Sequence, residues 1–420
     1  MFLLSGLLEK FIKNGTLRLY DASGTLHTFG GKLPGPAVTL RINRRGLAAR
    51  LFLNPELKAA EAYMDGGLSF EDGAGVYDLL LLFSVNRAGL AAHGSQKLLR
   101  RLWRALRRWH QANPTGIAAS QARHHYDLST ELYRLFLDED MQYSCAYFRD
   151  PEHDTLEQAQ RYKLIHATAK LQLKPGMSVV EIGSGWGGFA IHLAKQTGAR
   201  VVGINVSPEQ IKIARERASA AGVADLVEFR ELDYRNVEGT FDRVVSVGMM
   251  EHVGIAHFDE YFAKIRGLLK DDGYGFIHCI GRMSPPGTTG PFIRKYIFPG
   301  GYSPAMSEVL AATERNGLWV SDIEVLRLHY YHTIRHWRER FAKNRARAAQ
   351  IYDERFCRMW EFYLAAVELE FLHGSHMVFQ MLIAKTRDAV PIRRDFMVDS
   401  DAGNSKRPGV EVDGPSATLA

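Results

Sequence analysis

The run Val179–Ala190, VVEIGSGWGGFA, constrains this chain more than any other stretch. Four residues of strand type lead into a glycine-dense turn, and the residues after it open a helix. Glycine is needed where a backbone turns tightly and must approach a ligand closely, because a Cβ would fill that space. The run therefore commits this part of the chain to a strand–turn–helix unit with a ligand at the turn.

Gly183, Gly185 and Gly188 satisfy G-x-G-x-x-G, the pattern of a dinucleotide site. That pattern expects an acidic residue about 20 positions on. The next strand, Arg200–Ile204, instead runs into Asn205-Val206-Ser207-Pro208-Glu209-Gln210. Glu181, just before the turn, can hold a cationic amine. The combination fits S-adenosylmethionine better than a dinucleotide pyrophosphate, with a purely structural turn as the alternative.

At 420 residues the chain is long enough for two domains. No apolar run reaches the ~20 residues of a membrane-spanning helix. Met1–Gly15 is amphipathic but lacks a basic leader and a small-residue cleavage site, which argues against a secretory signal. Cys145, Cys279 and Cys357 show no metal or disulfide spacing, so a reducing cytoplasm is the expectation. The net charge of +6 favours an anionic partner. Lys97–Gln111, KLLRRLWRALRRWHQ, would set arginines beside a tryptophan-bearing stripe, as at an anionic membrane surface or on a solvated helix face. Arg335–Arg347 repeats that ambiguity.

Residues 1–115 read as one smaller α+β unit, with strands Thr16–Tyr20 and Ala37–Ile42 and helices Leu57–Met64 and Tyr77–Leu82. Asn113-Pro114-Thr115-Gly116 reads as a linker. Residues 116–395 read as α/β. Strands are expected at Val179–Ile182, Arg200–Ile204, Val227–Leu232, Phe241–Val247 and Gly275–Gly281, with helices at Pro208–Ala221 and Phe258–Leu269. Strand–helix alternation implies a parallel sheet with ligands at its carboxyl edge. Ser284–Ser307, rich in Gly and Pro, is an insertion or lid. Arg335–Gly374 is mostly helical, its aromatic stripe Trp360, Phe362, Tyr363 and Phe371 reading as core. His376–Ala384 is a last strand. Residues 396–420 form a disordered tail, polar from Asp399 onward.

Polar residues stand at five successive strand ends: Glu181 with the glycines, Asn205–Gln210, Asp233-Tyr234, Met249-Met250-Glu251-His252 and His278-Cys279-Ile280-Gly281. With HYDLSTELYRLFLD from His125, MQYSCAYF from Met141, IRKYIFPGG from Ile293 and HYYHTIRHW from His329, the chain resembles the cyclopropane-fatty-acyl-phospholipid synthases, relatives of the mycolic acid cyclopropane synthases. The matching segments run in order over about residues 120–385. Glu61–Gly66, EAYMDG, resembles the N-terminal domain of the longer bacterial members.

The resemblance implies a Rossmann-like class I S-adenosylmethionine-dependent methyltransferase domain. It also implies addition of a methylene to the cis double bond of phospholipid acyl chains, through a carbocation deprotonated by bound bicarbonate. Such a pocket must be dry, because water would quench the cation, and it must hold a base. Carried over, the reaction centre is Cys145, Glu251, His278, Ile280 and Tyr330. Cys145 and Ile280 contribute backbone groups, and Cys145 is not a nucleophile. The alternative role for Glu251 is helix N-terminal capping. Tyr330, not Tyr331, carries the functional position because Thr333 and Trp337 set the register. The cofactor site is Tyr143, Ser144, Glu181, Gly183, Gly185, Asn205, Val206, Gln210, Asp233 and Tyr234.

Also implied are a homodimer and a peripheral position on the inner face of the cell membrane. A C-methyltransferase making methyl- or methylene-branched chains is the alternative in the same fold, and the motifs do not separate the two reliably. A lipid or cofactor binder with a decayed site conflicts with the intact Glu251, His278 and Tyr330. Nucleic-acid methylation lacks its Asn/Asp-Pro-Pro-Tyr-type motif, so no nucleic-acid partner is expected.

Overall fold

The computed structural model describes residues 1–31, 33–87 and 129–397. The basic stretch Lys97–Gln111, the linker with the boundary at 115/116, the motif residues His125–Leu128 and the tail from Asp399 lie outside the described residues.

The front unit holds α1 (Phe2–Phe11), β1 (Asn14–Tyr20), β2 (Leu26–Gly30), β3 (Leu33–Ile42), α2 (Leu47–Leu53), α3 (Pro55–Met64), β4 (Leu68–Glu71) and α4 (Val76–Val85). Its four-stranded sheet runs β2-β1-β3-β4, with β1 and β3 parallel and the other pairs antiparallel. Sequence reasoning found β1, β3, α3 and α4. It missed α1 and α2, and the short β2 and β4, which carry little apolar pattern. Leu4, Leu8, Leu17, Leu19, Leu40 and Leu82 form a core of its own beneath this sheet.

The remainder comprises α5 (Thr130–Arg134), α6 (Leu156–Leu171), β5 (Ser178–Ile182), α7 (Gly188–Thr197), β6 (Arg200–Asn205), α8 (Pro208–Ala220), β7 (Val227–Glu231), β8 (Phe241–Val247), α9 (Phe258–Leu268), β9 (Leu269–Arg282), α10 (Met306–Arg315), β10 (Trp319–Val325), α11 (His329–Lys343), α12 (Arg345–Ile351), α13 (Glu354–His373) and β11 (His376–Ala384). Apolar runs such as VVEI are buried on both faces, as parallel strands covered by helices require. The sheet order is β10-β11-β9-β8-β5-β6-β7. This is the Rossmann-like class I methyltransferase arrangement.

One expectation needs correction. The sheet is mixed, because β11 runs antiparallel to both β9 and β10. Helix α13 ends at Gly374 and the chain turns straight back into β11, with no crossover to restore the direction. The edge strand β10 was missed altogether; it alternates exposed and covered residues, and Trp319 stands in solvent.

The 284–307 segment does not hang open. It carries a π-helical turn at Ile293–Ile297, packs Phe292 edge-on against Phe362 (4.8 Å) and pairs Lys295 with Glu61 of the front unit at 2.7 Å. Helix α13 completes the junction, where Tyr63 donates to Glu361 at 2.8 Å. Among the described residues no helix is long and apolar enough to cross a membrane.

Candidate active site

The glycine turn leaves β5 and enters α7. Gly183 has φ +82° and Gly185 φ +53°, a region that side chains other than glycine enter at a cost. Beyond Gly185 lies open space. The turn is held from beneath, because the amides of Gly183 and Ser184 both donate to the Ile204 carbonyl (2.9 and 3.0 Å). All ten residues expected to bind cofactor line one cleft here, together with Gln142, Trp186, Arg235, Met249 and His252.

Several buried polar atoms around this cleft have no protein partner: Glu181 Oε2, Ser184 Oγ, Trp186 Nε1 and Gln210 Nε2. Unpaired buried groups are costly, so such a set marks a place for a polar ligand. Glu181 is buried, and burial pushes its carboxyl up to about 8. An ammonium group entering beside it would hold it ionised.

Asn205 faces its own turn. Its Oδ1 accepts from the Val206 amide at 2.7 Å and its Nδ2 donates to Gln210 Oε1 at 2.6 Å. Asn205 thereby aims Gln210, whose free Nε2 is the available donor. Both Asp233 oxygens are engaged by Arg235 (2.9 and 2.8 Å), so an aspartate–arginine pair stands here and not a bare carboxylate.

None of the five expected reaction-centre residues lines that cleft. They lie in the buried layer beside it. Glu251 sits in a 3-10 turn, Met250–His252, and its Oε1 accepts from the Ile280 amide at 2.7 Å while Oε2 has no partner. Glu251 thus reaches across to β9 and does not cap a helix. Burial pushes its carboxyl up to about 7. His278 is two residues before Ile280 on β9, and burial with the nearby Lys163 and Lys170 holds its ring down at about 3. Cys145 donates to the Ala146 carbonyl at 3.3 Å, and burial pushes its thiol up. A buried protonated thiol is a poor nucleophile. Tyr330, Thr333 and Trp337 share the buried face of α11.

Tyr143 joins the two regions. It lines the cleft, stacks on Trp337 (ring centroids 5.1 Å apart), and its hydroxyl lies 3.0 Å from that of Tyr363. Tyr330, Phe136, Trp360 and Phe371 belong to the same buried cluster, with Ile280 packed against it. The stripe read as core is therefore core, and through Tyr363 it also backs the cleft. A wall of this kind excludes water and turns π faces toward any positive charge beside it.

Sequence reasoning missed Lys163, whose buried ammonium donates to Gln142 Oε1 (2.5 Å) and Ser144 Oγ (3.1 Å) and tethers the segment before Cys145. Burial lowers it to about 8. No motif announces a lysine inside a helix. Trp186 and His252 were within quoted motifs but received no role.

Comparison with known proteins agrees with this geometry. A family model described as mycolic acid cyclopropane synthetase matches residues 115–381. The chain is 36% identical over 347 residues to the cyclopropane-fatty-acyl-phospholipid synthase of Escherichia coli strain K12, covering 82% of this chain and 87% of that one. It is equally, 36%, identical over 359 residues to a probable fatty acid methyltransferase of Pseudomonas putida, covering 84% and 88%. The solved structure of mycolic acid cyclopropane synthase CmaA1 complexed with SAH and CTAB superposes with a TM-score of 0.60 at 29% identity, over 65% of this chain and 99% of that one.

Proposed function

The chain belongs to the mycolic acid cyclopropane synthetase family, and from that premise we propose that it adds a methylene group from S-adenosylmethionine to the cis double bond of acyl chains in membrane phospholipids. The observation that carries this reading is the junction at Tyr143. A cleft rich in unpartnered polar atoms abuts a buried aromatic cluster against which Ile280, the partner of Glu251, is packed.

S-adenosylmethionine supplies an electrophilic methyl group. Glu181 would pair with its ammonium, the glycine turn would let the backbone approach it, and Gln210 with the Asp233–Arg235 pair would meet the nucleoside. The acyl chain's alkene would bond to that methyl carbon as the sulfonium's carbon–sulfur bond breaks, leaving S-adenosylhomocysteine and a carbocation on the acyl chain. One proton then leaves the added carbon as the second bond closes the ring, for a net gain of CH2. The aromatic residues around Tyr143 exclude water and stabilise the charge. Bicarbonate, when bound, would supply a base for that proton. The free Oε2 of Glu251 suits such a group, with Tyr330 and the backbone at Cys145 and Ile280 completing its surroundings. We place the enzyme in the cytoplasm, peripherally on the inner membrane face, as a homodimer with no nucleic-acid partner.

Purified protein would be incubated with S-adenosylmethionine and vesicles of cis-monounsaturated phospholipid, and the acyl esters analysed by mass and proton NMR. A gain of CH2 with upfield ring protons is expected. The equal identity to a relative named as a fatty acid methyltransferase supports a second reading, C-methylation without ring closure. Vinylidene protons, or a methyl branch beside a retained double bond, would establish that reading instead.

A further inference from the structure

One row of side chains crosses three strands behind the proposed reaction centre. On β9, β11 and β10, His278 stands opposite Gln380, and Gln380 opposite Glu324. Directly opposed residues on neighbouring strands are close enough to interact. Helix α6 supplies the links through Lys170 and, one turn earlier, His166. Lys170 Nζ donates to Gln380 Oε1 at 2.8 Å and to Glu324 Oε2, which also meets His166 Nε2 at 2.7 Å. Gln380 Nε2 lies 3.2 Å from His278 Nδ1. Gln380, Lys170 and His278 are almost wholly buried.

We propose that Gln380 fixes His278 as its Nε2–H tautomer, making the ring a neutral hydrogen-bond donor at the reaction centre and not its base. An ammonium has donors only, so Lys170 must face the amide's oxygen. The amide's NH2 is thereby turned to His278 and donates to Nδ1. That nitrogen must then be the acceptor, and the ring proton resides on Nε2. Glu324 in turn keeps Lys170 charged and in place. The charged groups facing His278 are Lys163 and Lys170 from α6 and Glu324 from β10, and the two lysines oppose a second ring proton. Gln380 and Lys170 are thus positioning residues. Their catalytic consequence rests on the function proposed above, whereas the tautomer does not.

The test uses full-length protein labelled with 15N in its histidine rings. Two-bond proton–nitrogen spectra distinguish the tautomers, and the His278 signals are those lost in His278→Asn. The wild type is expected to be neutral with the proton on Nε2 from about pH 6 to 8. Finding Nδ1–H or an imidazolium there overturns the proposal, whether or not any variant folds. Gln380→Glu keeps an oxygen for Lys170 but presents an acceptor to Nδ1. It should move the proton to Nδ1 or charge the ring, and lower kcat about 10- to 100-fold, the usual loss for a residue that orients another, with KM for S-adenosylmethionine unchanged. An unmoved ring with unchanged kcat overturns the proposal. Lys170→Arg, which retains a donor, should preserve the tautomer, and Lys170→Met should release it. A missing lipid product from protein with Nε2–H His278 counts against the reaction and for the tautomer.

Discussion

Glu251 Oε1 accepts a hydrogen bond from the Ile280 amide at 2.7 Å, while its buried Oε2 has no hydrogen-bond partner. One oxygen anchors the carboxyl to β9 and the other is left for a ligand. The main-chain anchor fixes the orientation of the side chain without occupying its functional atom. Replacing the anchored group by its amide should keep the fold and change the chemistry.

Glu251→Gln is therefore expected to lower kcat about 100-fold or more, within the usual range for a group that manages proton transfer. Affinity for S-adenosylmethionine should be unchanged. Steady-state turnover on phospholipid vesicles, with calorimetric cofactor binding, measures both. Turnover equal to wild type would remove Glu251 from the mechanism.

The same residue gives a pH dependence. Burial places its carboxyl at about 7. Below that value it is uncharged and accepts a neighbouring anion; above it, ionised, it repels one. The bicarbonate concentration for half-maximal activity should rise as pH goes from about 7 to about 8.5. In the ligand-free protein the folded state keeps a proton that the unfolded chain has lost. Stability from this group is fully present below the ordinary value of 4.5 and declines as pH rises through about 7. Denaturation at several pH values, compared with Glu251→Gln, isolates the term.

Glu181→Gln removes the carboxylate expected to pair with the cofactor's ammonium. A charged hydrogen bond contributes about 1.5–3 kcal/mol, so affinity should fall about 10- to 100-fold, with kcat at saturation changed far less. Titration with S-adenosylhomocysteine, which keeps the amine but lacks the methyl, reads the loss directly. Undiminished affinity would place the amine elsewhere.

Gly183→Ala tests the turn. The backbone there has φ +82°, and an added Cβ would stand 3.2 Å from the Met249 Cβ. The left-handed conformation alone costs about 1–2 kcal/mol. Urea denaturation should show a loss of that order, and cofactor binding should weaken because Met249 lines the same cleft. Gly185, with open space beyond it, would affect binding more than packing.

The sequence by itself determined the strand–turn–helix unit and most of the parallel strands, and its resemblance to a known family pointed to ten of the residues that line the cleft. Local chemistry is enough for the unit and the strands, because glycine at a turn, proline and serine opening α8, and apolar runs between helices each act over a few residues. Tertiary structure alone decided that β11 runs backward, since strand direction depends on how α13 returns to the sheet. It alone put Tyr363 against Tyr143, residues 220 positions apart in the chain. It also turned Asp233 toward Arg235, bent Glu251 to Ile280 and aligned His278, Gln380 and Glu324 in one row. A buried polar group must find its partner wherever the folded chain supplies one, and the spacing of residues along a sequence does not contain that choice.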